Sequence, residues 1–320
     1  MTAPRVAVVI AVKNAASVIG RCLDSVLSQD FDGYEVIVVD DGSTDETPAI
    51  LDKYAPRIKT ILAGPVGPSR ARNLAVASSS AEYAAFTDSD CIVDRMWLKA
   101  LMAPFADSNV MSVGGRQEVP DDDTEFGKKV FAFMKAAGFV TDYIRAGKRS
   151  IVPVDHNPSC NVAYRRIAFL KAGGFLEGFW PGEDVEFDYR MKALGSRIMC
   201  NPDAVVYHYK PRNMRSFTKM MYRYGIAQGA LVRRYGVFRI AQILPFFALI
   251  SAIIFLTVSA AGFFTQALLS VFLGMAVLFA AVKFDPVIFS LFLSAAFLWN
   301  AGFFRGIMRE LNPAPSYRDL

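Results

Sequence analysis

Asp88 and Asp90 stand two apart in the turn TDSDC (Thr87–Cys91), directly after an apolar run. Two carboxylates at a strand end can share one hard divalent cation. Mn²⁺ or Mg²⁺ suits such oxygen ligands, with diphosphate oxygens in the remaining positions. An ion held there neutralises charge growing on a departing diphosphate. A solvated acidic turn produces the same pattern, so the pair gains its weight from its place at a strand end. The run VVDDGSTD (Val38–Asp45) places paired acids after a second apolar stretch, then a glycine for a sharp turn. A carboxylate there can accept hydrogen bonds from a base or a ribose; Ser43 and Thr44 can cap a helix, and a capping box alone is the plainer alternative, less so for Asp41. In WPGED (Trp180–Asp184) an acid opens a helix beside a tryptophan. The indole face can stack on a pyranose, and the carboxylate can take a hydroxyl proton. Acids favoured by the helix dipole give the same pattern. His208 follows an apolar run and can supply the third protein ligand that a two-aspartate metal site lacks. The other histidine, His156, lies in an irregular stretch and reads as a filler.

These clusters need elements to hold them. Val6–Val12, Tyr34–Val39, Ile58–Leu62 and Ala81–Thr87 read as strands, and Ala16–Ser28, Pro48–Tyr54 and Pro68–Ala77 as the helices between them. The alternation predicts an α/β fold, a Rossmann-like, mostly parallel sheet with helices on both faces. Ligands in such sheets sit beyond the carboxyl ends of the strands. Lys13-Asn14, the Asp40–Asp45 run and Asp88–Asp90 all fall at those ends. Further on, Met111–Gly115 reads as a strand and Phe126–Arg145 as a helix with an apolar face. Pro158–Leu170 reads as a loop running into a helix, and Glu183–Leu194 as a helix. Ile198–Cys200 and Ala204–Tyr207 read as two late strands.

Apolar residues make up 53% of the 320-residue chain, an excess gathered at its end. Ile240–Lys283 carries no charge before Lys283, enough for two segments of about 20 residues, with a break near Gly262–Gln266. A third runs from Pro286 to Phe304. Lys210–Arg239 holds eight Lys/Arg and no Asp/Glu. A basic stretch beside a membrane segment suits a bilayer's anionic leaflet. No nucleic-acid motif accompanies it, so no nucleic-acid partner is expected. Arg215–Tyr235 reads as an interfacial segment or a plain connector. The expected division is therefore 1–210 catalytic, 211–239 juxtamembrane, 240–304 transmembrane in two or three helices, and 305–320 a tail. Three full spans place Arg305, Arg309 and Arg318 outside, against the positive-inside tendency, unless one segment is re-entrant. Val6–Val12 is too short for a signal core and lacks a cleavage site. Cys22, Cys91, Cys160 and Cys200 match no metal spacing and read as reduced cytosolic thiols.

Taken together, VVDDGSTD, TDSDC, PSCNVAYRR with its Asn161, AGGF and WPGED resemble glycosyltransferase family 2, with the GT-A fold, over residues 4–225. The resemblance implies roles position by position. Asp41 contacts the nucleobase, most often uracil, with Arg72 of the RARN run nearby. Asp88 approaches the ribose and the metal, Asp90 ligates the metal, and His208 resembles the metal-binding histidine of some members. Asp184 is the general base, and Trp180 and Glu183 hold the acceptor. The first strand ends in AVKN, where many members carry an aromatic or proline in place of Lys13. The Q-x-x-R-W motif of processive synthases is absent. The expectation is an inverting, metal-dependent transfer from a UDP-sugar or another nucleotide-diphosphate sugar. The expected acceptor is a lipid-linked or membrane-proximal glycan, as in cell-envelope glycan biosynthesis. The expected place is the inner (cytoplasmic) membrane, multi-pass, with the catalytic domain in the cytosol. Two rivals remain: a polyprenyl-phosphate glycosyltransferase, and a non-catalytic sugar-nucleotide-binding scaffold.

Overall fold

A computed structural model describes residues 4–139, 150–283 and 285–308. Its described residues form two compact units, the first from residues up to 123 and from 135 to 209, the second from 124–134 and 210–308.

The first unit is built on one sheet. Its strands are β1 (Val6–Val12), β2 (Tyr34–Asp40), β3 (Lys59–Leu62), β4 (Tyr83–Asp88), β5 (Cys91–Val93), β6 (Val110–Glu118), β7 (Val152–Pro153), β8 (Asn161–Arg165) and β9 (Arg197–His208). They lie in the order β3-β2-β1-β4-β8-β6-β9-β5, with β7 also on β9. The helices of this unit are α1 (Ile19–Val26), α2 (Thr47–Tyr54), α3 (Pro68–Ala77) and α4 (Trp97–Met102). An α5 (Glu125–Ala137) belongs mainly to the second unit, and α6 (Arg166–Lys171) and α7 (Glu183–Ala193) complete the first. β1 is apolar along its whole length because both its faces are covered. Val6, Val8 and Ile10 pack into one core with Ile19, Cys22 and Leu23 of α1. Ala7 and Val9 pack into the other with Ala71 and Ala75 of α3.

β3, β2, β1 and β4 are parallel, as the alternation of elements predicts. Beyond β4 the sheet becomes mixed. β8 runs antiparallel to both β4 and β6, and it occupies residues expected as loop and helix start. Its signal, five residues before a helix, is too short to show a period. The two late strands are one, β9, whose register on β6 shifts between Gly115 and Arg116. Gly115 permits that crowding, since a Cβ there would lie 1.9 Å from the Ala204 carbonyl oxygen. The helix expected over Phe126–Arg145 stops at Ala137, and its expected remainder at 140–149 lies outside the described residues, as does 309–320 of the tail.

The second unit holds α8 (Met214–Tyr235), α9 (Leu244–Val258), α10 (Phe264–Ala281) and α11 (Pro286–Ile307). The apolar run Ile240–Ala281, with a stretch of mean hydropathy 2.4, and α11, with one of 1.8, are each long and apolar enough to cross a membrane. The first is broken at Gly262, whose φ is 89°, where a turn separates α9 from α10. α8 and α11 lie side by side in the same direction. Met214 meets Ser294 at one end, and Arg233 donates to the Ile307 carbonyl at the other. Their backbones touch through two interlocked glycine pairs, Gly225 with Gly229 and Gly302 with Gly306. A Cβ at Gly225 would lie 2.0 Å from the Trp299 carbonyl oxygen, and one at Gly302 2.1 Å from that of Tyr222. Glycines four apart on both partners are the small-residue seam by which membrane helices pack.

Candidate active site

Every residue singled out for chemistry lies in the first unit. β4 ends at Asp88, and the tight turn Ser89-Asp90 hands the chain to β5, which pairs with the end of β9 so that Cys91 faces His208. That pairing brings Asp90 to the histidine, with Oδ1 3.5 Å from Nε2. Asp88, Asp90 and His208 offer ligand atoms all within 4.8 Å of one another. Two carboxylates and an imidazole in that space fit a hard divalent cation.

Arg72 comes from α3 and is buried. Its Nη2 donates to Oδ1 of Asp88 and its Nη1 to Oε1 of Glu183, each at 2.7 Å. One guanidinium therefore ties the metal-side turn to the start of α7, where Gly182, with φ 100°, swings the chain into the helix. Burial lowers the affinity of Arg72 for its proton, and Asp88 and Glu183 outweigh that and hold it firmly charged. Glu183 is pushed up to about 7, by burial first and by neighbouring Asp184 second, against the pull of Arg72. Glu183 is thus buried against Arg72, which also holds Asp88.

Asp184 sits one residue on. Its Oδ2 accepts from the Ser159 amide at 3.0 Å and lies 4.0 Å from Nε2 of His156. The other ring nitrogen of His156 is 2.9 Å from Oδ2 of Asp188, one helical turn along α7. Asp188 is fully buried and also accepts from the Tyr164 hydroxyl and the Asn157 amide. Burial raises its pKa, and the contact with His156 opposes the rise. His156 is thus held between two carboxylates of one helix face. In the sequence only the four-residue spacing of Asp184 and Asp188 hints at this. Nothing near His156 does. Trp180, 43% exposed, stands at the entrance to α7 with its indole accessible.

The VVDDGSTD run is mostly scaffold. Asp40 accepts from the Ser43 amide, the Ser43 hydroxyl accepts from Asn14, and Asp45 accepts from Ala16 and Thr47. Asp41 differs. Its Oδ1 accepts from the amides of Val66 and Gly67, and its Oδ2 faces Lys13 at 3.8 Å. Asn161 of β8 is also structural. It accepts from the Trp97 indole and donates to the carbonyls of Arg116 and Ala204, so it joins three strands. In AGGF, Asn73 bonds the backbone of Phe175, and Arg190 of α7 donates to the Gly174 carbonyl.

Residues 7–172, over half of the chain, match the model for glycosyl transferase family 2. The chain belongs to glycosyltransferase family 2. Among curated family relatives it is 30% identical over 245 residues to the pre-mycofactocin glycosyltransferase of Mycobacterium tuberculosis, covering 72% of this chain and 48% of that protein. It is 28% identical to the O-antigen biosynthesis protein RfbC of Myxococcus xanthus, over 67% of this chain and 18% of that one. The chain thus spans at most about half the length of these two relatives. The solved mannosyltransferase PcManGT from Pyrobaculum calidifontis, in complex with GDP-Man and Mn²⁺, superposes with a TM-score of 0.68 at 20% identity, over 96% of this chain and 88% of that one. GalNAc-T7, solved with UDP, GalNAc and Mn²⁺, does so with 0.54 at 16% identity, over 74% and 52%. At these identities the likeness establishes the GT-A fold of this family member.

Proposed function

We propose that this chain transfers a sugar, with inversion, from a nucleotide-diphosphate sugar, a UDP-sugar favoured, to a lipid-linked or membrane-proximal glycan. The observation that carries the proposal is the clustering of Asp88, Asp90 and His208, with Arg72 tying Asp88 to Glu183, the residue next to Asp184 at the start of α7. Asp88, Asp90 and His208 would hold Mn²⁺ or Mg²⁺, which when bound offsets charge on the departing diphosphate. Asp184 takes the proton of the acceptor hydroxyl, and that oxygen attacks the anomeric carbon. The bond from that carbon to the diphosphate oxygen breaks on the opposite face, and its electron pair leaves with the nucleotide. The exposed face of Trp180 carries the acceptor sugar. Asp41 holds the 66–67 loop at the nucleotide end and turns its second oxygen to the base beside Lys13. The bound nucleotides of the two GT-A neighbours, GDP-Man in one and UDP in the other, support a nucleotide-sugar donor. Incubation of membranes containing the chain with labelled nucleotide sugars and Mn²⁺ tests it. Label is expected in the lipid-extractable fraction; label confined to water-soluble products for every donor contradicts the acceptor.

The second unit supports attachment to a bilayer by α9 and α10. α8 carries Arg215, Lys219, Arg223, Arg233 and Arg234, and a charge carried to mid-bilayer costs about 2.5–3.5 kcal/mol. α8 therefore lies at the interface. α11, locked alongside it by the glycine seam, shares its depth. The hairpin of α9 and α10 then enters the bilayer and returns, and Arg305 stays on the cytosolic side as the positive-inside tendency asks. A green fluorescent reporter fused after residue 320 is expected to fluoresce in the cytosol. A periplasmic reporter active at the same position contradicts this topology.

A further inference from the structure

Two thiols lie behind the acidic turn, and the proposed transfer does not use them. Cys91 opens β5, and Cys160 immediately precedes β8; both are buried. Their sulfurs and a ring nitrogen of His208 all lie within 4.8 Å of one another. Oδ1 of Asp90 lies 4.0 Å from the Cys91 sulfur and 3.5 Å from Nε2 of His208. The remaining cysteines have other surroundings: Cys22 donates to the Asp88 carbonyl, and Cys200 is buried on β9. A buried cysteine is ordinarily core filler. Two of them converging on an imidazole make a three-donor set.

We propose that Cys91, Cys160 and His208 form a second, soft-metal site for a thiophilic cation of the Zn²⁺ or Cd²⁺ class, with a solvent oxygen as fourth ligand, meeting the hard-metal site at His208. Ligand atoms around tetrahedral zinc stand about 3.5 Å apart, given bonds of about 2.0–2.3 Å. The cage therefore needs only a small contraction. Thiolates select zinc-like ions, whereas carboxylates select Mn²⁺ and Mg²⁺. On binding, both thiols release their protons to solvent. Asp90 and His208 are partly exposed and give the ion its way in. Since the two cages share His208, they compete for it. A soft cation then expels the hard one, and an enzyme of this kind is switched off by zinc. This last consequence rests on the proposed transfer; the existence of the soft site does not.

The test uses the full chain, reduced and freed of metal, with Cd²⁺ as the probe and no donor present. Thiolate-to-cadmium charge-transfer absorption is expected to saturate at one equivalent and to vanish when Zn²⁺ is added. Cys160→Ala is expected to weaken Cd²⁺ binding at least as much as the roughly 10–100-fold that loss of an outer-shell partner costs. Cys22→Ala is expected to keep the absorption. Absence of the band in the wild-type chain, or its survival unchanged in Cys160→Ala, overturns the site. A second reading needs no variant. Mn²⁺ bound to the wild-type chain, followed by its spin-resonance signal, is expected to be released by one equivalent of Cd²⁺. Retained Mn²⁺ beside bound Cd²⁺ overturns the overlap. A chain that binds Cd²⁺ but never Mn²⁺ keeps the soft site and removes the hard one from the proposed transfer.

Discussion

Asp184→Asn is expected to lower kcat by about 10³-fold, within the 10²–10⁴ that general base catalysis supplies, while donor affinity stays near that of the wild-type chain. The substitution keeps the shape. An asparagine oxygen still accepts from the Ser159 amide at the position Oδ2 holds at 3.0 Å. What it loses is the ability to accept a proton. Donor binding is assigned to other groups, Asp41, Asp88 and Asp90, so it should be spared. Initial rates beside a calorimetric titration of donor with Mn²⁺ check both halves. Near-normal turnover would point to an acceptor that needs no base, as a polyprenyl phosphate does, since a phosphate oxygen attacks already ionised. Loss of donor binding along with turnover would instead assign Asp184 to the donor pocket.

The parallel half of the sheet is legible in the sequence because its strands are covered on both faces, which leaves them apolar throughout and bounded by turn residues. β1, β2 and α3 follow from that pattern within a residue or so. The acidic turn of Asp88 and Asp90 is legible because it directly follows such a strand. His208 joins it only through the antiparallel pairing of β5 with β9. Contacts between distant segments are another matter. The antiparallel insertion of β8 depends on pairing with β4 and β6, which no local period encodes. The seat of His156 between Asp184 and Asp188 depends on where the 156–160 loop lands. Glu183 illustrates the limit most clearly. From sequence it is an acid at a helix start beside an exposed tryptophan, and its neighbour Asp184 shares that setting. Only the fold shows that Glu183 is buried against Arg72 while Asp184 stays partly exposed. The glycine seam of α8 and α11 could have been read from the Gly225/Gly229 and Gly302/Gly306 spacing, but the charges of α8 hide it from a search for apolar segments.

Arg72→Met should strongly destabilise the first unit. Methionine fills much the same space, yet it leaves Asp88 and Glu183 without the cation that joins them. Breaking a buried ion pair by removing one partner costs about 3–5 kcal/mol, because the abandoned charge stays buried. For a unit of this size each kcal/mol moves Tm by about 2–4 °C, so the midpoint is expected to fall by roughly 10 °C. Arg72→Lys should recover little, since one ammonium cannot reproduce two hydrogen bonds from the ends of a planar fork. The loss should also depend on pH in a defined direction. Glu183 holds its proton up to about 7 in the fold, against an ordinary value of 4.5. Between those values the folded chain binds more protons than the unfolded one, and stability falls as pH rises. In the wild-type chain that decline ends near 7, where ionised Glu183 settles against Arg72. Without Arg72 the folded value climbs further, and the decline continues above 7. Thermal melts of the two proteins should therefore differ more at pH 8 than at pH 6. Equal midpoints at both would mean that Asp88 and Glu183 are solvated well enough to need no cation, and that the metal turn and the start of α7 are joined by something other than Arg72.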